Sequence, residues 1–251
     1  MKAIILCAGY GTRMHPYTEK YQKTMLPVKG KPILEYLLEG LKYAGFSEFI
    51  LVVGYLKEQI IEYFQEGKKW DISIEYVEQK NLNGTGGAVL LCEENIDKKH
   101  FFLTWGDIIV PYEIYREVYQ IFKNEDEDFI LVTNYLENLQ KGCAIFCSDK
   151  YCTKMVEKPP ANIKGTNLNN CGIFILSTEI FEVLREIKPS ERGELEIPDA
   201  ISYGIETRDW KVRLIKMEKD QFRADFGDLD VYEELKNKNS WIKELKNKNF
   251  G

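Results

Sequence analysis

Near the amino terminus stand two kinds of residue that can do chemistry together: glycines that free the backbone and cations that hold anions. Residues 8–14 read Ala-Gly-Tyr-Gly-Thr-Arg-Met, directly after an apolar run. Gly9 and Gly11 allow a tight turn and a close approach. Thr12 adds a hydroxyl, and N–H groups in such a turn can point inward at phosphate oxygens. Arg13 can chelate a phosphate through paired hydrogen bonds, and Lys23 supplies a second positive charge. The spacing is not that of a P-loop. Nor is it the dinucleotide fingerprint, because Met14 stands where the third glycine belongs. A plain turn flanked by two solvated cations is the alternative reading.

Further along, carboxylates and amides offer partners for such an anion site. Asp107 follows Trp105-Gly106 at the end of an apolar run. It suits Mg²⁺, which takes one or two carboxylates together with substrate phosphates, although an aspartate there also suits a helix cap. A second ligand is offered by Asp225 or Asp228 in the segment Arg223-Ala224-Asp225-Phe226-Gly227-Asp228. Only the fold decides whether such distant carboxylates meet. In Glu157-Lys158-Pro159, the lysine can hold a phosphate and the glutamate a hydroxylated ligand; a charged loop fixed by proline is the alternative. Gln79 and Gly84-Thr85-Gly86-Gly87 suit the edge and face of a planar base, or equally a loop and a helix start.

Composition narrows the field. The chain has 251 residues, a formal charge of −6 and 44% hydrophobic residues, ample for a core. The acidic balance argues against a general nucleic-acid binder, which needs a basic face. Cys7, Cys92, Cys143, Cys147, Cys152 and Cys171 form no CxxC pair, so reduced, mostly buried thiols are expected rather than a zinc site. With two histidines, a nitrogen- or sulfur-rich metal centre is not expected either. No apolar run reaches the length of a leader or a membrane span, and a cytoplasmic protein is expected.

The elements that must position these residues follow from periodicity. Short apolar runs at 2–7, 49–53, 72–77 and 101–104 predict strands, and helical spacing at 31–44, 57–64 and 86–92 predicts helices between them. The second half predicts strands at 129–133, 143–147, 154–157, 171–176 and 211–217. It predicts helices at 178–186, 194–203 and from 229 onward, ending in a Lys/Asn-rich tail expected to fray. Such alternation implies an α/β fold, Rossmann-like, with a mixed, mostly parallel sheet and helices on both faces. In such sheets ligands bind beyond the carboxyl ends of the strands.

Taken in order, these motifs resemble the sugar-1-phosphate nucleotidyltransferase family, similar to glucose-1-phosphate thymidylyl- and uridylyltransferases and heptose-1-phosphate guanylyltransferases. The resemblance rests on Gly9 to Met14, Lys23, Met25 to Val28, Gly30 to Ile33, Gly84 to Gly87, Gly106-Asp107, Glu157-Lys158-Pro159, Asn170-Cys171-Gly172, Arg192 to Glu196 and Asp225-Phe226-Gly227. It implies a nucleotide-diphospho-sugar transferase fold, GT-A-like, over residues 1–251. About 1–110 would be a nucleotide-binding half, about 111–235 a sugar-phosphate-binding half and 236–251 a helical tail. No hexapeptide repeats follow, so no β-helical domain is expected.

The implied reaction joins a nucleoside triphosphate to a sugar 1-phosphate, releasing pyrophosphate, by in-line attack on the α phosphate with Mg²⁺. The resemblance assigns the nucleotide to Ala8, Gly9, Gly11, Thr12, Arg13, Gln79, Gly84 and Thr85. It assigns the sugar phosphate to Gly142, Glu157, Lys158 and Asn170, the metal to Asp107 and Asp225, and charge neutralisation in catalysis to Arg13, Lys23 and Lys158. Gln79 and Cys7-Ala8-Gly9 favour UTP or dTTP. The alternatives are a guanylyl- or cytidylyltransferase acting on a heptose, another sugar phosphate or phosphocholine, and a non-catalytic regulatory subunit that binds nucleotide sugars. No nucleic-acid or membrane partner is implied, and a homo-oligomer stays open. The sequence departs from the family pattern at Gln22, Asn83, Trp105 and Cys171.

Overall fold

The apolar run after Lys2 becomes β1 (Ala3–Cys7), with Ala3, Ile4, Ile5 and Cys7 buried. The computed structural model describes residues 1–246. A two-stranded ribbon of β2 (Pro27–Val28) and β3 (Lys31–Pro32) leads into α1 (Ile33–Tyr43), which ends at Gly45 with φ of 102°. That left-handed cap favours glycine. Then come β4 (Glu48–Val53), α2 (Lys57–Phe64), β5 (Ser73–Glu78), α3 (Thr85–Leu90) and β6 (His100–Trp105), close to their predicted bounds.

After the short β7 (Ile108–Ile109), α4 (Tyr112–Asn124) is an addition to the sequence reading, which assigned no element there. Its buried stripe is Tyr112, Ile114, Tyr115 and Val118, a helical pattern written largely in tyrosine. The remaining strands are β8 (Phe129–Tyr135), β9 (Cys143–Ser148), β10 (Tyr151–Glu157) and β11 (Leu168–Ser177). Helices α5 (Ile180–Glu186) and α6 (Ile197–Arg208) precede β12 (Val212–Lys216), β13 (Ala224–Asp225), α7 (Leu229–Leu235) and α8 (Ser240–Lys246).

The chain forms two compact units. One comprises Lys2–Lys80, Thr104–Gln120 and the chain from Asp220; the other comprises Asn81–Leu103 and Ile121–Lys219, with Met1. In the first, β1, β4 and β5 run parallel in the order β5-β4-β1, with Ala3 beside Phe49 and Glu48 beside Ser73. Continuous apolar strands suit parallel pairing, where both faces are covered. In the second, the order is β11-β8-β12-β10-β9: β8 and β12 are parallel and the other neighbours antiparallel. A two-residue turn at Asp149-Lys150, with Asp149 at φ 53°, closes the β9–β10 hairpin. Here α6 packs on β10, α5 on α6, and Phe129 stacks on Trp210 with centroids 4.1 Å apart.

The C-terminal tail corrects an expectation. Its Lys/Asn-rich composition predicted fraying, yet α8 is anchored by Trp241, fully buried against Tyr36, Phe222 and Phe226 at 5.2, 5.7 and 5.7 Å between ring centroids. One aromatic anchor outweighs the surrounding polarity. Residues 247–251 of that expected tail lie outside the described residues. All six cysteines are free and only Cys147 is exposed; burial pushes the thiols of Cys7, Cys92 and Cys152 up to about 12. Among the described residues no helix is long and apolar enough to cross a membrane.

Candidate active site

The glycine-rich turn after β1 closes over Lys23. Gly11 has φ of 64°, and a Cβ on it would stand 2.9 Å from Thr18 Cγ2 and 3.1 Å from Lys23 Cβ. Only glycine both tolerates that backbone and leaves the lysine its place. The Thr18 hydroxyl donates to the Gly11 carbonyl at 3.0 Å, and the Met14 N–H donates to the same carbonyl at 2.8 Å. Thr12–Met14 thereby form one 3₁₀ turn that carries Arg13, while a side chain on Gly9 would meet nothing within 4 Å. Thr12 and Gly9 thus border the same turn as Arg13.

Gln22, where the family pattern has proline, fixes Lys23 from the other side. Its side chain is fully buried, donates from Nε2 to the Cys7 carbonyl at 2.6 Å, and accepts at Oε1 from both the N–H and hydroxyl of Thr24 at 2.6 Å. Both ends of the amide are spent tying the Lys23 turn to the end of β1. In the sequence Gln22 stands out as a departure from the family pattern directly before Lys23.

The carboxylates do meet. Antiparallel pairing of β7 with β13 sets Asp225 beside Ile108, and the Phe226 N–H donates to the Asp107 carbonyl at 2.9 Å. At Gly227 a Cβ would stand 2.6 Å from Asp107 Oδ2, 2.9 Å from Asp225 Oδ1 and 3.3 Å from Arg13 Nη2. The two carboxylates and the guanidinium therefore face one small space that a side chain would fill. Lys23 Nζ lies 2.5 Å from Asp107 Oδ2. Asp228, the other candidate, is spent otherwise: its carboxylate caps α7 by accepting from the Asp230 N–H at 3.0 Å.

Electrostatics separates the two acids. Burial alone would raise the Asp107 carboxyl, but the charge and hydrogen bond of Lys23, with the charge of Arg13, hold it below its ordinary value. Asp225 goes the other way, raised by burial and by the negative charge of Asp107 against the opposing charge of Arg223. A divalent cation between them would relieve that repulsion. Two hard oxygen ligands over a glycine fit Mg²⁺, which fills its remaining positions with phosphate and water oxygens. Among the described residues there is no cluster of three or more His, Cys, Asp or Glu side chains suited to a metal, so a fully protein-built cage is not what this site offers.

In the other unit, Glu157 ends β10 opposite Cys143, and the Lys158 N–H donates to the Gly142 carbonyl at 2.8 Å. Any side chain on Gly142 would run into Asn169 Oδ1, which accepts from the Cys143 N–H at 2.9 Å. Asn169 Nδ2 donates in turn to Asn134 Oδ1 at 2.9 Å and to the Asn170 carbonyl at 2.7 Å. Asn170 Oδ1 accepts from the Gly172 N–H at 2.7 Å. Gly142, Glu157, Lys158 and Asn170 are thus linked through Asn169, which the sequence reading passed over.

Arg192 also joins this group, ion-paired to Glu196 at 2.5 Å and to Glu194 at 3.4 Å. Burial raises the Glu157 carboxyl, and the charges of Arg192 and Lys158 oppose the rise. Glu196 is pushed up to about 7 by burial, by its hydrogen bond with Glu194 and by the charge of Glu157.

Gly84-Thr85-Gly86-Gly87 is shaped by that same segment. Gly84 has φ of 98°, the Gly86 N–H donates to the Leu195 carbonyl at 2.7 Å, and the Leu195 N–H donates to the Asn83 carbonyl at 2.8 Å. The Thr85 hydroxyl donates to Glu196 Oε2 at 3.2 Å and accepts from the Ile197 N–H at 3.0 Å. Packing against Glu194, Leu195 and Leu184 accounts for Gly84 and Gly86, and the Asn83 side chain accounts for Gly87. Gln79 and Ala8 belong to the first unit and converge at Gly54, where a Cβ would lie 2.8 Å from the Ala8 carbonyl oxygen and 3.1 Å from that of Gln79.

Comparison with known proteins adds to this geometry. A family model described as nucleotidyl transferase matches residues 2–240. The chain is 42% identical over 207 residues to the bifunctional protein GlmU of Methanococcus maripaludis, covering 82% of this chain and 47% of that protein. It spans about half the length of the first curated relatives it matches. A putative UTP–glucose-1-phosphate uridylyltransferase of Methanocaldococcus jannaschii is 30% identical over 254 residues, covering 90% of this chain and 88% of that one. A solved UDP-glucose pyrophosphorylase complexed with UDP-glucose superposes with a TM-score of 0.84 at 26% identity, over 97% of this chain and 98% of the other.

Proposed function

Because the chain belongs to the nucleotidyl transferase family, we propose that it transfers a nucleotidyl group from a nucleoside triphosphate to a sugar 1-phosphate, releasing pyrophosphate. The observation that carries this reading is the convergence of Arg13, Lys23, Asp107 and Asp225 around Gly227. Two cations beside two carboxylates suit a polyphosphate and its divalent cation better than any nucleophilic or redox chemistry. UTP is favoured over dTTP, since a uridylyltransferase and a UDP-glucose pyrophosphorylase stand among the similar proteins.

In this reading Gly9, Gly11, Thr12 and Arg13 hold the β and γ phosphates, and Lys23 balances charge near the α phosphate. Ala8 and Gln79, which converge in the first unit, hold the base. Gly142, Glu157 and Asn170 bind sugar hydroxyls, and Lys158 holds the sugar phosphate. Asp107 and Asp225 would hold Mg²⁺, which when bound neutralises phosphate charge. A phosphate oxygen of the sugar phosphate forms the new bond to the α phosphorus while the bond to the bridging oxygen of pyrophosphate breaks. Arg13 steadies the departing charge. No protein nucleophile is required. Orientation of the reactants can supply about 7–11 kcal/mol of the barrier.

The residues 1–110 and 111–235 would serve as nucleotide and sugar-phosphate halves, and the setting is proposed to be cytoplasmic. The test is pyrophosphate release by the purified protein with Mg²⁺, scanning UTP, dTTP, CTP, GTP and ATP against sugar 1-phosphates and phosphocholine. The expected result is release that needs both substrates and disappears in Asp107→Asn. Binding of nucleotide without release from any pair would favour the regulatory-subunit reading instead.

A further inference from the structure

We infer that Lys23 is a placeholder cation: its ammonium holds the oxygen of Asp107 that a divalent cation needs, and yields it only when a polyphosphate offers the lysine another partner. This rests on the function proposed above only in taking Asp107 and Asp225 as the cation-binding carboxylates. Three observations carry it. Lys23 Nζ is 2.5 Å from Asp107 Oδ2, and that same oxygen faces Gly227 beside Asp225 Oδ1. Both partners are largely shielded from water, with side chains 19% and 11% exposed, so their attraction is weakly screened. Finally, the lysine is held on both sides, by Gly11 packed on its Cβ and by the buried Gln22 amide that ties down its turn.

The chemistry follows from charge. Two carboxylates facing one space repel each other unless a cation stands with them, and Lys23 supplies one. An ammonium and a divalent metal on the same carboxylate oxygen repel in turn, so metal binding must displace the lysine. Triphosphate oxygens give the displaced ammonium a new anion. Metal and nucleotide then reinforce each other's binding, by the reciprocity that any such coupling obeys. Metal alone binds weakly, and Asp107 is not left without a counter-charge at any stage.

The test uses Mn²⁺ alone, without nucleotide, titrated into the full chain and followed by the electron paramagnetic resonance of free Mn²⁺. Lys23→Met should tighten Mn²⁺ binding by about tenfold or more, within the usual span of coupling between sites. Lys23→Arg should keep the weak binding of the wild type. Arg13→Met removes an equal charge that acts on Asp107 through space, and it should tighten binding less than Lys23→Met does. Adding Asp107→Asn to Lys23→Met should abolish the gain. The inference is overturned if Lys23→Met binds Mn²⁺ no more tightly than the wild type, or no more tightly than Arg13→Met. No turnover enters this measurement. Absence of pyrophosphate release would therefore leave it standing, and a flat Mn²⁺ series alongside intact release would sink the placeholder alone.

Discussion

Replacing Gly227 by alanine should damage chemistry far more than folding. The added Cβ would stand 2.6 Å from Asp107 Oδ2 and 2.9 Å from Asp225 Oδ1. Ordinary contact begins at 3.4 Å, so the Asp107 oxygen must retreat by about 0.8 Å and the Asp225 oxygen by about 0.5 Å. Neither is free to do so at no cost. Lys23 holds the first, and the Gly227 N–H donates to the second at 2.9 Å. Displacements near 1 Å in a positioned site cost roughly 10²-fold in rate. The glycine is not in the left-handed region, so alanine brings no backbone strain, and the clash falls on side-chain ends. The expected outcome is a fall of about 10²-fold in kcat/KM for pyrophosphate release, with weaker Mn²⁺ binding and a melting temperature within a few degrees of wild type. Retention of kcat/KM within about threefold would refute the claim that these oxygens act at this spot.

Other perturbations separate the supports of the site. Gln22→Ala leaves the Cys7 carbonyl and the Thr24 N–H without their partner, which should cost about 1–3 kcal/mol in urea unfolding and lower kcat more than it raises KM; an unchanged kcat would show that the lysine turn holds itself. The Glu196 pKa of about 7 lies above the ordinary carboxyl value of 4.5, so the folded protein binds more protons than the unfolded chain between those two pH values. This acid's contribution to stability therefore falls as pH rises through that window. Glu196→Gln should remove that part of the slope in unfolding at pH 4.5, 6 and 7.5, and a wild-type slope in the variant would contradict the assignment. Trp241→Ala should destabilise by about 3–5 kcal/mol, as for other buried large aromatics; a loss below about 1 kcal/mol in thermal unfolding would mean that α8 is not docked as described.

Much of the fold was legible because buried parallel strands announce themselves as short apolar runs: Phe49 to Val53 could hardly be anything else. Helix α4 escaped because its buried stripe is built on Tyr112 and Tyr115, residues that the eye counts as surface. The docking of α8 escaped because it depends on one tryptophan meeting three aromatic rings from distant segments. In the site, the phosphate-binding loop and the charged residues were readable as types. Their meeting was not, since Asp107 and Asp225 are brought together by the two-residue pairing of β7 with β13 and by the Phe226 N–H bond to the Asp107 carbonyl. The same holds for Asn169, whose importance comes from three hydrogen-bonding neighbours that no local spacing reveals. Gln22 read as a departure from pattern, and the structure gives it work that proline cannot do, with both amide ends hydrogen-bonded.

Where the two labels of a nucleoside triphosphate go would test the central claim most directly. The protein would be incubated with Mg²⁺, glucose 1-phosphate and UTP labelled either at the α or at the γ phosphorus. Attack on the α phosphorus predicts α label in UDP-glucose and γ label in pyrophosphate. Label from the γ position on the sugar, or α label confined to UMP and UDP, would contradict the account.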